Sequence, residues 1–273
     1  MPQRSQHERV EPHHVDIQEG VVFGSTGSRD LRCDVFRPSE PNGVGVLLLH
    51  GGGYKIGDRG LMRGYGIQMA RRGYACVSSE YRLSEEAAWP AQQQDVEAAI
   101  GWMQTNAESL GMDPGKFVLW GNSAGGHMAL LLASRFSSGT GADVQRNPIA
   151  AAVTYYPITI YEPEMGRCWE LFCPPMFPGG GSPEQWRDIS PLTHVSDQLP
   201  PTLLLHGAQD DIVVASQSTR YFDALTKAGV TAELHVYAGQ GHGFDFDRAF
   251  AQHTLDVATL FLQRYVPSGR AEP

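Results

Sequence analysis

The sequence predicts an α/β fold in which helices cover both faces of a mostly parallel central sheet. Short apolar runs alternate with segments of helical periodicity along most of the chain. Several of the runs are almost continuously apolar, which is typical of strands that are buried on both faces. With 273 residues, of which 41% are hydrophobic, the chain is long enough for a full core. We therefore expect a single domain over residues 1–273.

Eight short apolar runs are the predicted strands of this sheet. The first two are joined by a turn that contains Gly24, Gly27 and Ser28, residues that are typical of strand connections. The third run is followed by three glycines and suits a buried strand. The predicted strands span residues 15–23, 31–36, 45–50, 74–79, 116–120, 149–155, 202–206 and 233–237.

Five segments between and after these runs are predicted helices. The clearest of them opens at Pro90, because proline is favoured in the first turn of a helix. Its apolar residues recur at helical spacing: Val96, Ala99, Ile100 and Met103. The other predicted helices span residues 59–72, 124–136, 216–227 and 248–265.

One long stretch, residues 158–188, interrupts the alternation. It is rich in proline, contains three consecutive glycines and lacks clear periodicity. It also carries aromatic side chains suited to packing: Tyr161, Trp169, Phe172, Phe177 and Trp186. We expect it to form a small cap, together with residues 1–14, over the carboxyl ends of the strands, where open α/β sheets bind ligands.

The charge and hydropathy of the chain exclude several classes of function. It has 21 Lys and Arg against 30 Asp and Glu, a net charge of −9, which argues against nucleic acid or an anionic membrane as the main partner. No apolar run approaches the roughly 20 residues of a membrane span, and the polar N-terminus shows no secretory signal. We therefore expect a cytoplasmic protein without a membrane span.

The four cysteines are too few for a disulfide framework. Cys33 and Cys76 lie in predicted strands, and we expect them in the core. Cys168 and Cys173 lie five residues apart in the predicted cap, and the sequence leaves open whether they pair or remain free thiols. No grouping of Cys and His has the spacing of a zinc site, so we expect no metal.

A candidate nucleophile lies between a predicted strand and a predicted helix. The sequence GNSAGG at 121–126 follows the strand 116–120 and opens the helix 124–136. This context is that of a nucleophile elbow, a strained turn that presents a serine hydroxyl above the sheet edge. Glycine is required on both sides of the serine because side chains would collide in so tight a turn. We therefore predict that Ser123 is a nucleophile.

A serine nucleophile needs a base and an acid that orients the base. Among ten histidines, His242 lies in a glycine-rich loop directly after the last predicted strand, where a base must sit. Asp210 and Asp211 follow the preceding strand at its carboxyl end. We predict Asp210 as the acid, with Asp211 as the alternative. The chain order Ser123, Asp210, His242 is that of α/β-hydrolase triads.

Three glycines at 51–53 are suited to an oxyanion hole. They follow the strand 45–50 within the sequence HGGGY, and glycine lets backbone N–H groups approach an acyl group without obstruction. We predict that the N–H groups of Gly52, Gly53 and Ala124 bind the oxyanion. A phosphate-binding loop is the rival interpretation, but neither of the usual glycine motifs of such loops is present here.

In combination, the HGGGY and GNSAGG motifs resemble those of the hormone-sensitive-lipase-like carboxylesterases of the α/β-hydrolase fold. Further similar segments are Tyr81-Arg82-Leu83, Trp89-Pro90, Ser190-Pro191-Leu192, Pro200-Pro201-Thr202-Leu203 and Gly241-His242-Gly243-Phe244. The resemblance extends from about residue 30 to residue 265. It implies hydrolysis of short-chain acyl esters by Ser123, Asp210 and His242, without a cofactor.

The sequence departs from the pattern of that family at three positions. Asn122 stands where the family usually has aspartate, and His127 stands where asparagine is common. Asp211 stands where proline often follows the acid. None of these departures removes a catalytic group. Only 49 residues precede the HGGGY motif, so the chain is similar to the small members of the family with little lid.

The motifs leave the substrate open. We favour a serine carboxylesterase that acts on short-chain acyl esters. Carbohydrate acetyl or feruloyl esterases and arylformamidases or other amidases use the same triad, and a non-catalytic ligand-binding protein is a remote alternative. We expect the partner to be a small-molecule ester, and the sequence leaves a homodimer open. The side chains expected to contact substrate are Tyr54, Trp89, Tyr156 and Phe244.

Overall fold

The computed structural model describes residues 13–139, 147–162 and 176–268. Its strands are β1 (Val15–Ser25), β2 (Asp30–Pro38), β3 (Gly43–Leu49), β4 (Ala75–Ser79), β5 (Met112–Asn122), β6 (Ile149–Tyr155), β7 (Thr202–Gly207) and β8 (Ala232–Tyr237). They form one eight-stranded sheet in the order β1-β2-β4-β3-β5-β6-β7-β8.

Six neighbouring strands of this sheet run parallel, in the order β4-β3-β5-β6-β7-β8. β2 is antiparallel to both β1 and β4. The register of β1 against β2 shifts twice, between Gln18 and Val21 and between Val22 and Gly24, as β-bulges do. The parallel strands bring the carboxyl ends of β3, β5, β6, β7 and β8 to one edge of the sheet. The predicted mostly parallel sheet is confirmed.

Helices cover both faces of the sheet, as predicted. The helices are α1 (Arg63–Ala70), α2 (Ala91–Thr105), α3 (Ala107–Leu110), α4 (Ala124–Ser137), α5 (Pro183–Asp188), α6 (Ser216–Lys227) and α7 (Arg248–Tyr265). Side chains of α2, α4 and α6 belong to one hydrophobic cluster, and side chains of α1 and α7 belong to another. Short 3-10 helices span Arg59–Met62, Pro191–His194 and Phe244–Phe246.

The central strands hold the two layers together because their alternate residues enter opposite clusters. In β3, Leu47 and Leu49 pack on the side of α2 and α4, whereas Val46 and Leu48 pack on the side of α1 and α7. All four side chains are fully buried. Burial of each side chain contributes about 1.5–3 kcal/mol to the free energy of folding. Because both faces of β3 are buried, its sequence is almost continuously apolar.

The stretch 59–72, predicted as one helix, consists of two shorter pieces. The first is the 3-10 helix Arg59–Met62, and the carboxylate of Asp58 accepts a hydrogen bond of 2.7 Å from the N–H of Gly60 at its start. The second is α1, which ends at Ala70. Aspartate is favoured at such N-terminal positions because its carboxylate accepts a hydrogen bond from an N–H that has no helical partner. Asp58 therefore marks the start of the 3-10 helix.

The predicted cap at 158–188 is described only in part. The described portion contains α5, where Ser182 and Gln185 form a reciprocal capping box. Residues 163–175 lie outside the described residues, and so do four residues that the sequence analysis named: Trp169, Phe172, Cys168 and Cys173. Residues 1–12 lie outside them as well. The role of these segments as a cap stays a prediction.

Within the three described ranges, no helix is both long and apolar enough to cross a bilayer. Cys33 and Cys76 are buried free thiols in the sheet. The described part of the chain also contains no group of three or more His, Cys, Asp or Glu side chains arranged to hold a metal ion.

Candidate active site

Ser123 occupies a strained turn between β5 and α4. Its backbone has φ 55° and ψ −115°, a region that residues with a side chain rarely adopt. A Cβ added to Gly121 would lie 2.2 Å from backbone atoms of Gly125, and a Cβ on Gly125 would lie 2.1 Å from the carbonyl oxygen of Leu49. Glycine therefore stands where strand and helix approach too closely for any side chain.

Ser123, His242 and Asp210 form a continuous chain of contacts at the carboxyl edge of the sheet. Oγ of Ser123 lies 3.1 Å from Nε2 of His242, and Nδ1 of His242 lies 2.7 Å from Oδ2 of Asp210. Asp211, the alternative acid, is exposed to solvent. The geometry is that of a nucleophile, a base and an orienting acid, and it can transfer the serine proton to the imidazole.

The carboxylate of Asp210 is held from several sides. Its Oδ1 accepts hydrogen bonds of 2.9 Å from the N–H groups of Ile212 and Val213, and its Oδ2 lies 3.3 Å from Nε2 of His206. Burial raises the pKa of Asp210, but the contacts with His206 and His242 outweigh burial and hold that pKa well below its usual range. Asp210 is therefore ionised, as an orienting acid must be.

The glycine loop after β3 lies against Ser123. Gly51, Gly52 and Gly53 line the same cavity as the serine, and Gly52 and Gly53 have φ values of 116° and 60°. A Cβ on Gly52 would lie 2.0 Å from the carbonyl oxygen of Ile56. Among the described residues, no acceptor is bonded to the N–H of Gly52 or Gly53. These N–H groups are thus free to bind an anion.

His50 supports this loop from behind. Its ring stacks on Tyr81 with a centroid distance of 4.2 Å, and its Nδ1 lies 2.7 Å from the carbonyl oxygen of Gly51. Tyr81 donates its hydroxyl to the carbonyl oxygen of His50 at 2.7 Å. Burial lowers the pKa of His50, so the ring stays neutral and packs as a structural group.

A cavity of about 450 Å³ opens above Ser123. Its wall consists of glycine backbone and apolar side chains, apart from the candidate catalytic pair Ser123 and His242 and the polar groups of Asn122 and Tyr156. The apolar lining residues are Ile56, Leu61, Met62, Ile212 and Phe246. No Lys, Arg, Asp or Glu is among the described residues that line it. The cavity therefore suits an uncharged, largely apolar ligand.

Three of the apolar side chains at this cavity are strongly exposed. Ile56, Leu61 and Phe246 have exposed fractions of 67%, 53% and 75%. Large apolar side chains that are exposed together usually mark a binding surface. We call these three residues the apolar rim.

The four side chains expected to contact substrate are placed differently from one another. Tyr156 lines the cavity. Tyr54 and Phe244 are buried, and neither lines the cavity. Tyr54 has a φ of 62° and donates its hydroxyl to the carbonyl oxygen of Ala124 at 2.8 Å. Trp89 is half-buried, with its ring 6.0 Å from that of Tyr54.

Sequence reasoning missed two buried groups beside the site. His206 ends a predicted strand, and its position four residues before Asp210 is the signal that could have indicated it. Asp245 lies three residues after His242 and is 3% exposed. It contacts Asn122, 123 residues away, and no local pattern indicates such a contact.

Comparison with known proteins identifies the family of this chain. The BD-FAE family model matches residues 33–159 and 178–225. The chain belongs to the BD-FAE family. Its curated relatives include esterase LipC of Mycobacterium tuberculosis, at 28% identity over 89% of this chain and 64% of that protein. They also include the probable carboxylic ester hydrolase LipM of that species, at 30% identity over 89% and 60%. The chain thus spans less than two thirds of these relatives.

Solved structures show the same fold as this BD-FAE chain. A thermophilic esterase from Thermogutta terrifontis has a TM-score of 0.75 at 25% identity, with 95% of each chain covered. A truncated carbohydrate esterase from gut microbiota has a TM-score of 0.75 at 23% identity, with 92% of this chain and 98% of that chain covered. The expected α/β-hydrolase fold and the resemblance to hormone-sensitive-lipase-like esterases are confirmed.

Proposed function

We propose that the protein is a serine carboxylesterase that hydrolyses short-chain, apolar esters through an acyl-enzyme on Ser123. The observation that carries the proposal is the 3.1 Å contact between Ser123 Oγ and His242 Nε2 at the base of an apolar cavity. The names of the relatives, esterase and carboxylic ester hydrolase, support the same reaction.

The reaction has two acyl-transfer steps. In the first, Ser123 Oγ attacks the ester carbonyl carbon while His242 takes the serine proton, and Asp210 stabilises the resulting imidazolium. The N–H groups of Gly52, Gly53 and Ala124 bind the oxyanion, and each such donor contributes about 3 kcal/mol to the transition state. His242 then gives its proton to the leaving alcohol. In the second step, His242 activates a water molecule that releases the acid and restores Ser123.

The cavity supports an apolar ester more than a carbohydrate ester. A sugar presents many hydroxyl groups, and a binding site for it needs side chains that donate and accept hydrogen bonds. The amide of Asn122 and the hydroxyl of Tyr156 are already bonded to Asp245. The apolar rim instead offers contacts to an apolar acyl or alcohol group. Deacylation of carbohydrates, which the name of one structural neighbour suggests, and amide hydrolysis remain the alternative reactions.

We further propose a small-molecule ester as the partner and a cytoplasmic location. The net charge of −9 disfavours nucleic acid, and the buried free thiols of Cys33 and Cys76 fit a reducing compartment. A homodimer stays an expectation that light scattering in solution would test.

Replacing Ser123 tests the proposed function. We expect Ser123→Ala to lower kcat for p-nitrophenyl acetate by at least about 10⁴-fold and to abolish covalent labelling by a fluorophosphonate. Ser134→Ala is the matched control, because Ser134 is a buried serine of α4, the helix that follows Ser123, and its hydroxyl donates to the carbonyl oxygen of Leu131. Activity or labelling that persists in Ser123→Ala would contradict the proposal.

The substrate class is tested by comparison of esters, formanilides and acetylated sugars. We expect kcat/KM to be highest for apolar esters, and a series of acyl chains from acetyl to dodecanoyl would define the acyl length. A higher kcat/KM for acetylated xylose oligomers would instead support deacylation of carbohydrates. A higher kcat/KM for formanilides would support amide hydrolysis.

A further inference from the structure

Asp245 is a buried carboxylate without a cationic partner among the described residues. Its Oδ2 accepts hydrogen bonds from the hydroxyl of Tyr65 and, at 2.8 Å, from the amide of Asn122. Its Oδ1 accepts one from the hydroxyl of Tyr156 at 2.5 Å. All three neighbours donate, which suits an ionised carboxylate because that form can only accept. We call these four residues the Asp245 cluster.

The tyrosines of the cluster are fixed as donors. Burial raises the pKa of Tyr156 well above its usual value, and the carboxylate of Asp245 raises it further. Burial, together with Tyr155 and Asp245, acts in the same direction on the pKa of Tyr65. Both hydroxyls therefore keep their protons and can hold the carboxylate.

The cluster joins four segments that are separate in the chain. Asn122 is the last residue of β5 and precedes Ser123, whereas Tyr156 directly follows β6. Asp245 belongs to the 3-10 helix Phe244–Phe246, which directly follows the loop of His242, and Tyr65 belongs to α1. The carboxylate of Asp245 thus connects the segment that follows His242 to the carboxyl ends of β5 and β6.

Tyr156 transmits this connection to the imidazole. Its ring centroid lies 4.3 Å from that of His242, and its hydroxyl is anchored on Asp245. Its backbone is held as well, because its N–H donates to the carbonyl oxygen of Leu205 at 2.7 Å and its φ is 39°. The hydroxyl and the backbone of Tyr156 are therefore both anchored, and its ring packs against the imidazole of His242.

We propose that Asp245 is a positioning residue that holds Tyr156, and through it the imidazole of His242, in place for proton transfer. The inference rests on the proposed function, since it assigns a role in that same reaction. Asp245 itself does not line the cavity, so we expect its loss to affect kcat more than KM. A displacement of about 1 Å in such a site can lower a rate by about 10²-fold.

The first test separates kcat from KM. We expect Asp245→Asn to lower kcat for p-nitrophenyl acetate by about 10–100-fold while KM changes by less than about threefold. Asp95→Asn is the matched control, because Asp95 is equally buried but pairs with Arg82, and neither residue lines the cavity. This control should keep the kcat of the unmodified protein.

A double-mutant cycle tests the route through Tyr156. Tyr156→Phe keeps the ring but removes its anchor, so it should lower kcat in the same way as Asp245→Asn. If Asp245 acts through Tyr156, the double variant is no slower than the slower single variant. Additive losses would overturn the proposed route. Tyr65→Phe removes a second anchor of Asp245 at a residue that does not line the cavity. It should lower kcat in the same direction and replaces Asp245→Asn in this measurement if that variant does not fold.

The amide at position 122 provides a second readout. Asn122→Asp would place a carboxylate against Asp245 across a contact of 2.8 Å, with Tyr65, Tyr155 and Tyr156 as the other titratable groups that face Asp245. Two such carboxylates must share a proton, and loss of that proton at higher pH drives them apart. We expect kcat of this variant to decline as pH rises, relative to the unmodified protein, and the double variant Asn122→Asp/Asp245→Asn to lose that decline.

The outcomes distinguish the inference from the proposed function. If Ser123→Ala abolishes activity while Asp245→Asn keeps kcat within about twofold, the role of Asp245 is wrong and the esterase proposal stands. If Ser123→Ala remains active, the proposed function itself fails. Slower fluorophosphonate labelling of Ser123 in Asp245→Asn, at unchanged final extent, would support the positioning role.

Discussion

Nε2 of His206 lies 3.3 Å from Oδ2 of Asp210, the oxygen that also contacts His242. The same nitrogen lies 2.8 Å from the carbonyl oxygen of Val213, and Nδ1 lies 2.7 Å from the hydroxyl of Ser218. A carbonyl only accepts, so Nε2 carries the proton and donates it to Val213, with Asp210 as a second, longer acceptor. The proposed acid is therefore oriented by a second, fully buried imidazole.

Removal of this imidazole should slow the reaction. We expect His206→Phe to lower kcat by about 10-fold with little change in KM, because Asp210 loses one of the groups that orient it. His206→Gln, whose amide can still donate, should retain more activity. Steady-state kinetics with p-nitrophenyl acetate measure both, and equal kcat values in His206→Phe and the unmodified protein would refute this role.

His127 should make the folded protein sensitive to mild acid. It is fully buried between the hydroxyl of Tyr54 and the carbonyl oxygen of Ile189, and burial lowers its pKa to about 4. The unfolded chain binds this proton near pH 6.5, whereas the folded chain does not. The free energy of unfolding therefore falls as pH decreases, by roughly 2 kcal/mol between pH 7 and pH 4.5 from this residue.

Urea denaturation at the two pH values measures this effect. In His127→Gln, the loss of unfolding free energy between pH 7 and pH 4.5 should be smaller by that amount. The exposed residue His253 provides the control variant His253→Gln, which should keep the slope of the unmodified protein. An unchanged slope in His127→Gln would show that the buried imidazole does not account for the effect.

Substitution by alanine should change the free energy of unfolding in opposite directions at two glycines with different surroundings. Gly125→Ala would place a Cβ 2.1 Å from the carbonyl oxygen of Leu49, whereas Gly101 in α2 has open space around its Cα. We expect Gly125→Ala to lower the free energy of unfolding by about 3 kcal/mol or more, and to disturb the turn at Ser123. Gly101→Ala should raise it by up to about 1 kcal/mol. Thermal and urea unfolding of both variants would decide, and a stable Gly125→Ala would refute the close approach.

The apolar rim should affect binding and leave the chemistry unchanged. Phe246→Ala removes the most exposed of its side chains, and we expect KM for p-nitrophenyl hexanoate to rise by about fivefold, equivalent to roughly 1 kcal/mol of lost apolar contact, with kcat preserved. Leu260→Ala is the matched control, since Leu260 is 58% exposed and does not line the cavity. A KM that is the same in all three proteins would show that substrate does not reach the rim.

The sequence allowed prediction of features that depend on local chain geometry. Ser123 is recognisable because its turn needs glycines on both sides, and His242 because it directly follows a strand. The direction of Tyr54 was not predictable, since its φ of 62° turns the side chain towards Ala124 and away from the cavity. Asp245 was not predictable either, because its partner Tyr65 is 180 residues away and a contact at that separation leaves no local pattern.

The two margins of the sheet differ in how readily they could receive another strand. At the β1 margin, the bulges between Gln18 and Val21 and between Val22 and Gly24 disrupt the regular row of amide groups that an incoming chain would pair with. At the β8 margin, the register against β7 is unbroken from Thr202 to Gly207, so β8 offers a regular template. A strand added to this sheet would therefore pair more regularly at β8 than at β1.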